Sequence, residues 1–404
     1  MAEHFSFEVL KRSRTTLARL GVIRTRRGII ETPQFIPVAT VASVRALGSD
    51  DLRALGVQAI FANTYHLHLR TGEDLIRRMG GLHRFMSFDG PIFTDSGGFQ
   101  AFSLGLGREH NISKIGSIFP HGRRSAERRE NLTRITDEGV AFKSLVDGGW
   151  HFIDPRSAMR IQSRLGSDIV MAFDECTSPL SDYDYTREAM ERTHRWAVQS
   201  LRYHDRRQAI YGIIQGGWFE DLRRESADFI KSLPFDGIAI GGSLGNCKAD
   251  MHQVLEWVVP RLDARPRHLL GIGEIPDIFE CVERGIDTFD CVHPTRIARR
   301  GNLYISPASG GCLENKFRIS IKSSVFKDDK RPVDPRCGCP TCRMYSRAYL
   351  RHLYISNELS YFRAATVHNV YFMLRLMESI RKSIRSGKFS ALKRRWMKGE
   401  QAPG

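Results

Sequence analysis

The sequence predicts an α/β protein built on a closed (β/α)8 TIM barrel, with an N-terminal hairpin and a small metal-binding subdomain towards the C-terminus. Three observations carry this expectation. Short runs that are apolar throughout recur along the chain: VQAIFANTY (57–65), PIFTDSGG (91–98), SDIVMAFDE (167–175), AIYGIIQGG (209–217), FDGIAIGG (235–242), RHLLGIGE (267–274) and DTFDCVHPT (287–295). Segments of helical character separate most of them, and such runs alternating with helices are parallel strands covered on both faces. Many of the runs end on polar or glycine-rich turns, which favours a barrel rim over an open doubly wound sheet, where ligands gather at one switch point. No GxGxxG follows the first strand.

Residues 20–40 (LGVIRTRRGIIETPQFIPVAT) read as strand, turn, strand, reversing at Arg26, Arg27 and Gly28, and predict a hairpin that closes the barrel. Residues 106–131 break the strand–helix alternation with Gly, Pro and five arginines. That composition reads either as a solvated insertion or as a basic flap that touches phosphates. Further on, Ser356 is a candidate cap for a helix from about Asn357 to Ser386, with Gly387 as its stop. Leu359, Phe362, Val370, Met373, Met377, Ile380 and Ile384 form its main apolar stripe. The expected division is a catalytic barrel over 1–310, a zinc-binding subdomain with its helix over 311–386, and a basic tail over 387–404.

The 404 residues suit one large domain plus a small one. With 61 Lys and Arg against 45 Asp and Glu, the formal charge of +16 points to a polyanionic partner, nucleic acid above all. No apolar stretch approaches the ~18 residues that span a bilayer, and the N-terminus lacks the apolar core of a secretion signal. A cytoplasmic protein with no membrane partner is the expectation.

Of eight cysteines, three are grouped as Cys337-Gly-Cys-Pro-Thr-Cys342. C-x-C-x2-C aims three thiolates at one point, and a tetrahedral zinc needs one more ligand. His368, in the long helix, and His352, nearer the cysteines, compete for that place. Four protein ligands leave no open position, so the metal is expected to be structural.

Asp95, Asp174 and Asp290 each follow an apolar run, where a strand carries a carboxylate to the rim of a sheet. A carboxylate at such an end can attack a sugar C1′. Asp95 precedes Ser96, Gly97 and Gly98, a turn that permits close approach of a ligand to backbone. Asp174 and Gln215 offer the acceptor and donor edges a purine-like base requires, and the Gly241-Gly242 pair can present an N–H. For any single aspartate a helix N-cap or a structural ion pair is the plain alternative. Three strand ends on one rim favour a site.

The chain resembles the tRNA-guanine transglycosylases, also called queuine tRNA-ribosyltransferases. The resemblance rests on ANTYHL (62–67), TDSGGFQ (94–100), FDECT (173–177), the Gln-Gly of IIQGG (213–217), FDGIAIGG (235–242), LLGIGE (269–274), ERGIDTFDCVHPTR (283–296) and the cysteine motif with a distant His-Asn. It implies exchange of guanine for a 7-deazaguanine at the wobble position of tRNAs with a GUN anticodon, on a (β/α)8 barrel carrying one zinc per subunit. It implies Asp290 as the nucleophile and Asp95 as the general acid and base. Asp174, Gln215 and Gly242 match the base-recognition positions, Phe99 the aromatic residue stacked on the base, and Leu270 and Gly271 the other pocket wall. Arg296 and Arg299 match the stretch that reads the flanking uridines, and Cys337, Cys339, Cys342 and His368 match the zinc ligands. A homodimer is implied as well.

The pattern departs from bacterial members after the Gly-Gly pair, where Leu-Ala-Val-Gly-Glu gives way to Ser243-Leu244-Gly245-Asn246-Cys247. Gly245 in place of valine is expected to open space for the cyclopentenediol branch of queuine, which is favoured over the smaller preQ1. Cys247 in place of glutamate puts the carboxylate-linked peptide switch of bacterial relatives in doubt. A non-catalytic tRNA-binding subunit is the alternative class, and retention of Asp95, Asp174 and Asp290 argues against it.

Overall fold

Eight parallel strands close on themselves in a computed structural model that describes residues 4–99, 132–144, 146–245 and 247–398. They are β4 (Gln34–Ala39), β5 (Ile60–Ala62), β6 (Ile92–Thr94), β10 (Ile169–Met171), β11 (Ala209–Ile214), β12 (Gly237–Ile240), β13 (Arg267–Leu269) and β14 (Thr288–Cys291). Each pairs in parallel with the next, β14 returns to β4, and β6 meets β10 directly. Nearly every residue in these strands is buried, as runs flanked on both faces require. The arginine-rich segment 106–131 lies outside the described residues, as do 399–404 of the expected tail.

The hairpin expected over 20–40 is there in part. β2 (Arg19–Thr25) and β3 (Gly28–Thr32) pair antiparallel, but they join β1 (Ser6–Arg12) in a three-stranded sheet outside the barrel. The second arm ends at Thr32, and after Pro33 the chain enters the barrel as β4, all of whose residues are buried. The sheet covers the end of the barrel where the strands begin: Ile23 and Ile30 pack into the same cluster as Ile36, Phe93, Ile169 and Tyr211. Arg19 and Asp287, both fully buried side chains, lock it there. Arg19 Nε and Nη2 donate to the two Asp287 oxygens at 2.9 and 2.6 Å, and Nη2 also reaches Arg265 O at 2.8 Å. Arg19→Met leaves a buried carboxylate without its cation, so denaturant unfolding at neutral pH is expected to show a loss of about 3–5 kcal/mol. A loss below about 1 kcal/mol would mean that the pair is not a lock.

β7 (Thr133–Ile135), β8 (Val140–Lys143) and β9 (Trp150–Ile153) form a small antiparallel sheet between β6 and the helix Pro155–Leu165. Beyond the barrel, β15 (Asn302–Tyr304) pairs with β16 (Arg318–Ser320), followed by the helices Pro340–Met344, Arg347–Ile355 and Leu359–Arg385. The long helix begins two residues later than expected. Ser356 ends the preceding helix, and Glu358 occupies the N-cap position. Asn369 staples the long helix to the barrel, accepting from Tyr304 N at 3.0 Å and donating to Pro294 O at 3.0 Å and Asn302 O at 3.1 Å. The expected basic tail contains a docked helix, Phe389–Lys398, whose Trp396 packs against Phe279, Phe317 and Phe372. Arg381, near the end of the long helix, is buried and donates to Pro33 O at 2.9 Å.

Candidate functional site at the barrel rim

The strand ends place the anticipated residues on one rim, in order around it. Asp95 directly follows β6, Asp174 lies three residues past β10, Gln215 follows β11, Gly241 and Gly242 follow β12, Leu270 and Gly271 follow β13, and Asp290 lies within β14 near its end.

Asp290 is held on one side only. Its Oδ1 accepts from Gly271 N at 2.9 Å and lies 3.2 Å from His268 Nε2, while Oδ2 has no hydrogen-bond partner among the described residues. His268 is fixed in turn by Thr288 Oγ1, 2.9 Å from Nδ1, and by the rings of Phe61 and Phe93, stacked at 5.5 and 5.7 Å. The carboxylate is therefore oriented, with one oxygen left for a ligand. Asp95 is braced differently: Oδ2 accepts from Asn63 Nδ2 at 2.5 Å and Oδ1 from Thr64 N at 2.7 Å. Asn63 caps the helix Thr64–Arg70, so the ANTYHL segment builds the seat of this aspartate.

Asp174 and Gln215 form one polar unit. Ser96 Oγ donates to Asp174 Oδ1 at 2.9 Å, and Gln215 Nε2 donates to Asp174 Oδ2 at 2.7 Å. Gln215 Oε1 is buried without a partner among the described residues, an acceptor left open for a donor. Gly242 has φ 77°, and a Cβ there would lie 2.2 Å from that oxygen, so only glycine lets the backbone approach so closely. Ser243 is buried, and its carbonyl accepts from Arg223 Nη2 at 2.7 Å. Arg223 also donates to Gly217 O and Ile214 O, clamping the loops after β11 and β12. Burial lowers its pKa to about 10, so it keeps its charge at neutral pH. Phe99 is about a third exposed.

Gly245 has a structural reason of its own. Its φ is 93°, and an added Cβ would lie 2.2 Å from Asp250 Cβ, so the loop backbone itself demands glycine. Arg296 is exposed and Arg299 half-buried on the helix His293–Arg299. Burial, followed by the positive charges of Arg45, Arg296 and Arg300, lowers the Arg299 pKa, so four guanidinium groups crowd this stretch of rim. Sequence reasoning missed Arg45, whose neighbours come from the far end of the chain. It also missed His268, Asn63, Thr64, Ser96 and Arg223, although all but Arg223 belong to motifs already singled out. A concavity of about 590 Å³ at the opposite end of the barrel touches none of these residues.

The cysteine cluster chooses between the two histidines. Cys337, Cys339 and Cys342 place Sγ at 3.7, 3.5 and 3.3 Å from His368 Nδ1, and the four ligand atoms lie within 4.8 Å of one another. A tetrahedral zinc with Zn–S about 2.3 Å and Zn–N about 2.0 Å separates sulfur from nitrogen by about 3.5 Å, so the set fits. His368 Nε2 lies 2.7 Å from Tyr304 O, which holds the proton there and frees Nδ1 for a metal. His352 is exposed and outside the cluster.

Two carboxylates and a polar slot gathered on one rim are the kinds of group that enzymes moving a pentosyl group from one base to another use. Residues 13–402 match the family model described as Queuine tRNA-ribosyltransferase. A "Putative queuine tRNA-ribosyltransferase" of Archaeoglobus fulgidus is 57% identical over 387 residues, 94% of this chain and 96% of the relative. Queuine tRNA-ribosyltransferases of Roseiflexus sp. and Symbiobacterium thermophilum are 44% and 43% identical, over 97% and 98% of this chain and 99% and 92% of theirs. The chain belongs to the queuine tRNA-ribosyltransferase family of tRNA-guanine transglycosylases, which are pentosyltransferases.

Proposed function

We propose that this enzyme exchanges guanine at the wobble position of GUN-anticodon tRNAs for a 7-deazaguanine, through a covalent Asp290–ribose intermediate. The one-sided restraint of Asp290, with Oδ1 held and Oδ2 open, carries the reading. Oδ2 attacks C1′, the C1′–N9 bond breaks, and the electron pair leaves with guanine, which takes a proton from Asp95. The incoming base gives its N9 proton to Asp95, attacks C1′ and releases Asp290. Two displacements retain configuration. Asp174 accepts from the N–H donors on the guanine edge, while the second Nε2–H of Gln215 and the Gly242 N–H donate to its carbonyl, with Phe99 on one face and Leu270 and Gly271 on the other. Ser243 and Gly245 complete the wall, and Arg296 and Arg299 take the flanking nucleotides.

The metal at Cys337, Cys339, Cys342 and His368 is, in this reading, one structural zinc per subunit, serving the 311–386 subdomain that packs on a 1–310 barrel. Met344, Tyr349, Ile355 and Leu359 expose apolar surface on that subdomain, with the Tyr345 ring tilted against Tyr349 at 5.3 Å, which supports a homodimer. Among the described residues no helix is long and apolar enough to cross a membrane. A tRNA substrate makes the cytoplasm the place of action.

Queuine is the favoured base, since position 245 puts no side chain beside the slot. With tRNA carrying labelled guanine, both bases are expected to displace the label, queuine with the higher kcat/KM. Displacement by preQ1 and none by queuine would contradict the preference, and displacement by neither would contradict the reaction.

A further inference from the structure

The small sheet β7–β9 takes no part in the base slot, yet its outer face is unusual for a solvated surface. Strand register puts Arg134 opposite Ala141, Ala141 opposite Phe152, and Lys143 opposite Trp150, so these five side chains alternate onto one face. Trp150 and Phe152 are 50% and 51% exposed, and the Arg134 guanidinium lies over the Trp150 ring at 5.4 Å. The inner face is anchored: Phe142 packs against Tyr65 at 5.3 Å and His151 against His68 at 6.4 Å. Both contacts are to the helix Thr64–Arg70, whose first N–H holds Asp95. The sheet is thus packed against the rim that holds Asp95, in the connection that follows β6.

Two aromatic residues at i and i+2 on one strand stand about 6.7 Å apart, a spacing that suits successive unstacked bases. A guanidinium and an ammonium beside them suit the linking phosphates. The rest of the face is cationic or small, so it lacks the broad apolar area that a second protein copy would need. We propose that Arg134, Lys143, Trp150 and Phe152 form a stacking platform for unpaired nucleotides of the tRNA, outside the base slot. The proposal rests on the tRNA reading above and extends the RNA footprint beyond the arginines of the helix His293–Arg299.

The test uses full-length enzyme and a transcribed GUN-anticodon tRNA, with Trp150→Ala and Phe152→Ala singly and combined. Each substitution is expected to raise the tRNA Kd about tenfold, with unchanged thermal melting and unchanged kcat at saturating tRNA. Trp150→Tyr restores affinity, because any aromatic face stacks. Arg134→Gln lowers the salt slope of binding by about one. A double variant that is active and binds tRNA within twofold of wild type overturns the platform alone. So does one that loses subunit association while keeping RNA affinity, since the face would then belong to a second copy. Wild-type enzyme that binds tRNA without exchanging bases contradicts the reaction, not the platform.

Discussion

Asp290→Asn is expected to lower base exchange by at least ~10⁴-fold while leaving tRNA affinity within a few-fold of wild type. The substitution keeps size and shape, and an amide oxygen can still accept from Gly271 N, as Oδ1 does at 2.9 Å. What it removes is the charge on an oxygen that has no hydrogen-bond partner among the described residues. His268 and Gly271 N both hold the same oxygen, so the variant side chain keeps its place and loses only the charge that attacks. The loss should therefore appear in kcat, and the thermal melt should barely move. A variant with more than a tenth of wild-type kcat would show that the reaction does not pass through this side chain.

The second large effect is on folding. Cys339→Ala, or removal of metal with a chelator, is expected to unravel the unit that follows the barrel, because structural zinc contributes about 10–16 kcal/mol of apparent binding free energy in small domains. That is comparable with the whole stability of an ordinary domain, about 5–15 kcal/mol. Cys339 is fully buried, and its sulfur also accepts from Cys342 N at 3.3 Å, so its loss cannot be absorbed at a surface. The damage should spread along the long helix, since Asn369, next to His368, ties it to Pro294 O. Limited proteolysis should cut between residues 302 and 398, zinc content should fall from one per chain to none, and the helix that carries Arg296 and Arg299 should loosen. An unchanged proteolysis pattern and melt would show that the cluster is not what holds this unit together.

Much of the architecture was legible because seven of the eight barrel strands announce themselves in the same way, as an apolar run ending on a polar or glycine-rich turn. Asp95, Asp174, Gln215 and Asp290 follow such runs, and closing the barrel brings them to one rim. Closure itself is not local, which is why the bracing groups escaped notice. His268 reaches Asp290 only because β13 and β14 are neighbours, and Arg45 meets Arg299 only because β14 pairs with β4. The two misread boundaries have local causes. Residues 20–40 alternate plausibly as a hairpin, but Pro33 separates a pairing arm from a strand buried on both faces. Ser356 has the chemistry of an N-cap, yet Asn357 takes a left-handed φ of 54° and the new helix begins beyond it. Gly245 is the subtler case, since a glycine read as room for a ligand is also required by its own backbone and by Asp250.

The most direct test of the central claim is to mix enzyme with tRNA in the absence of free base, quench in denaturant and resolve the products on a denaturing gel. The account predicts a slow-migrating protein–RNA adduct, mapped by mass spectrometry of its peptides to Asp290, absent with Asp290→Asn and discharged by added 7-deazaguanine. No adduct with wild-type enzyme, or one mapped to Asp95, would contradict it.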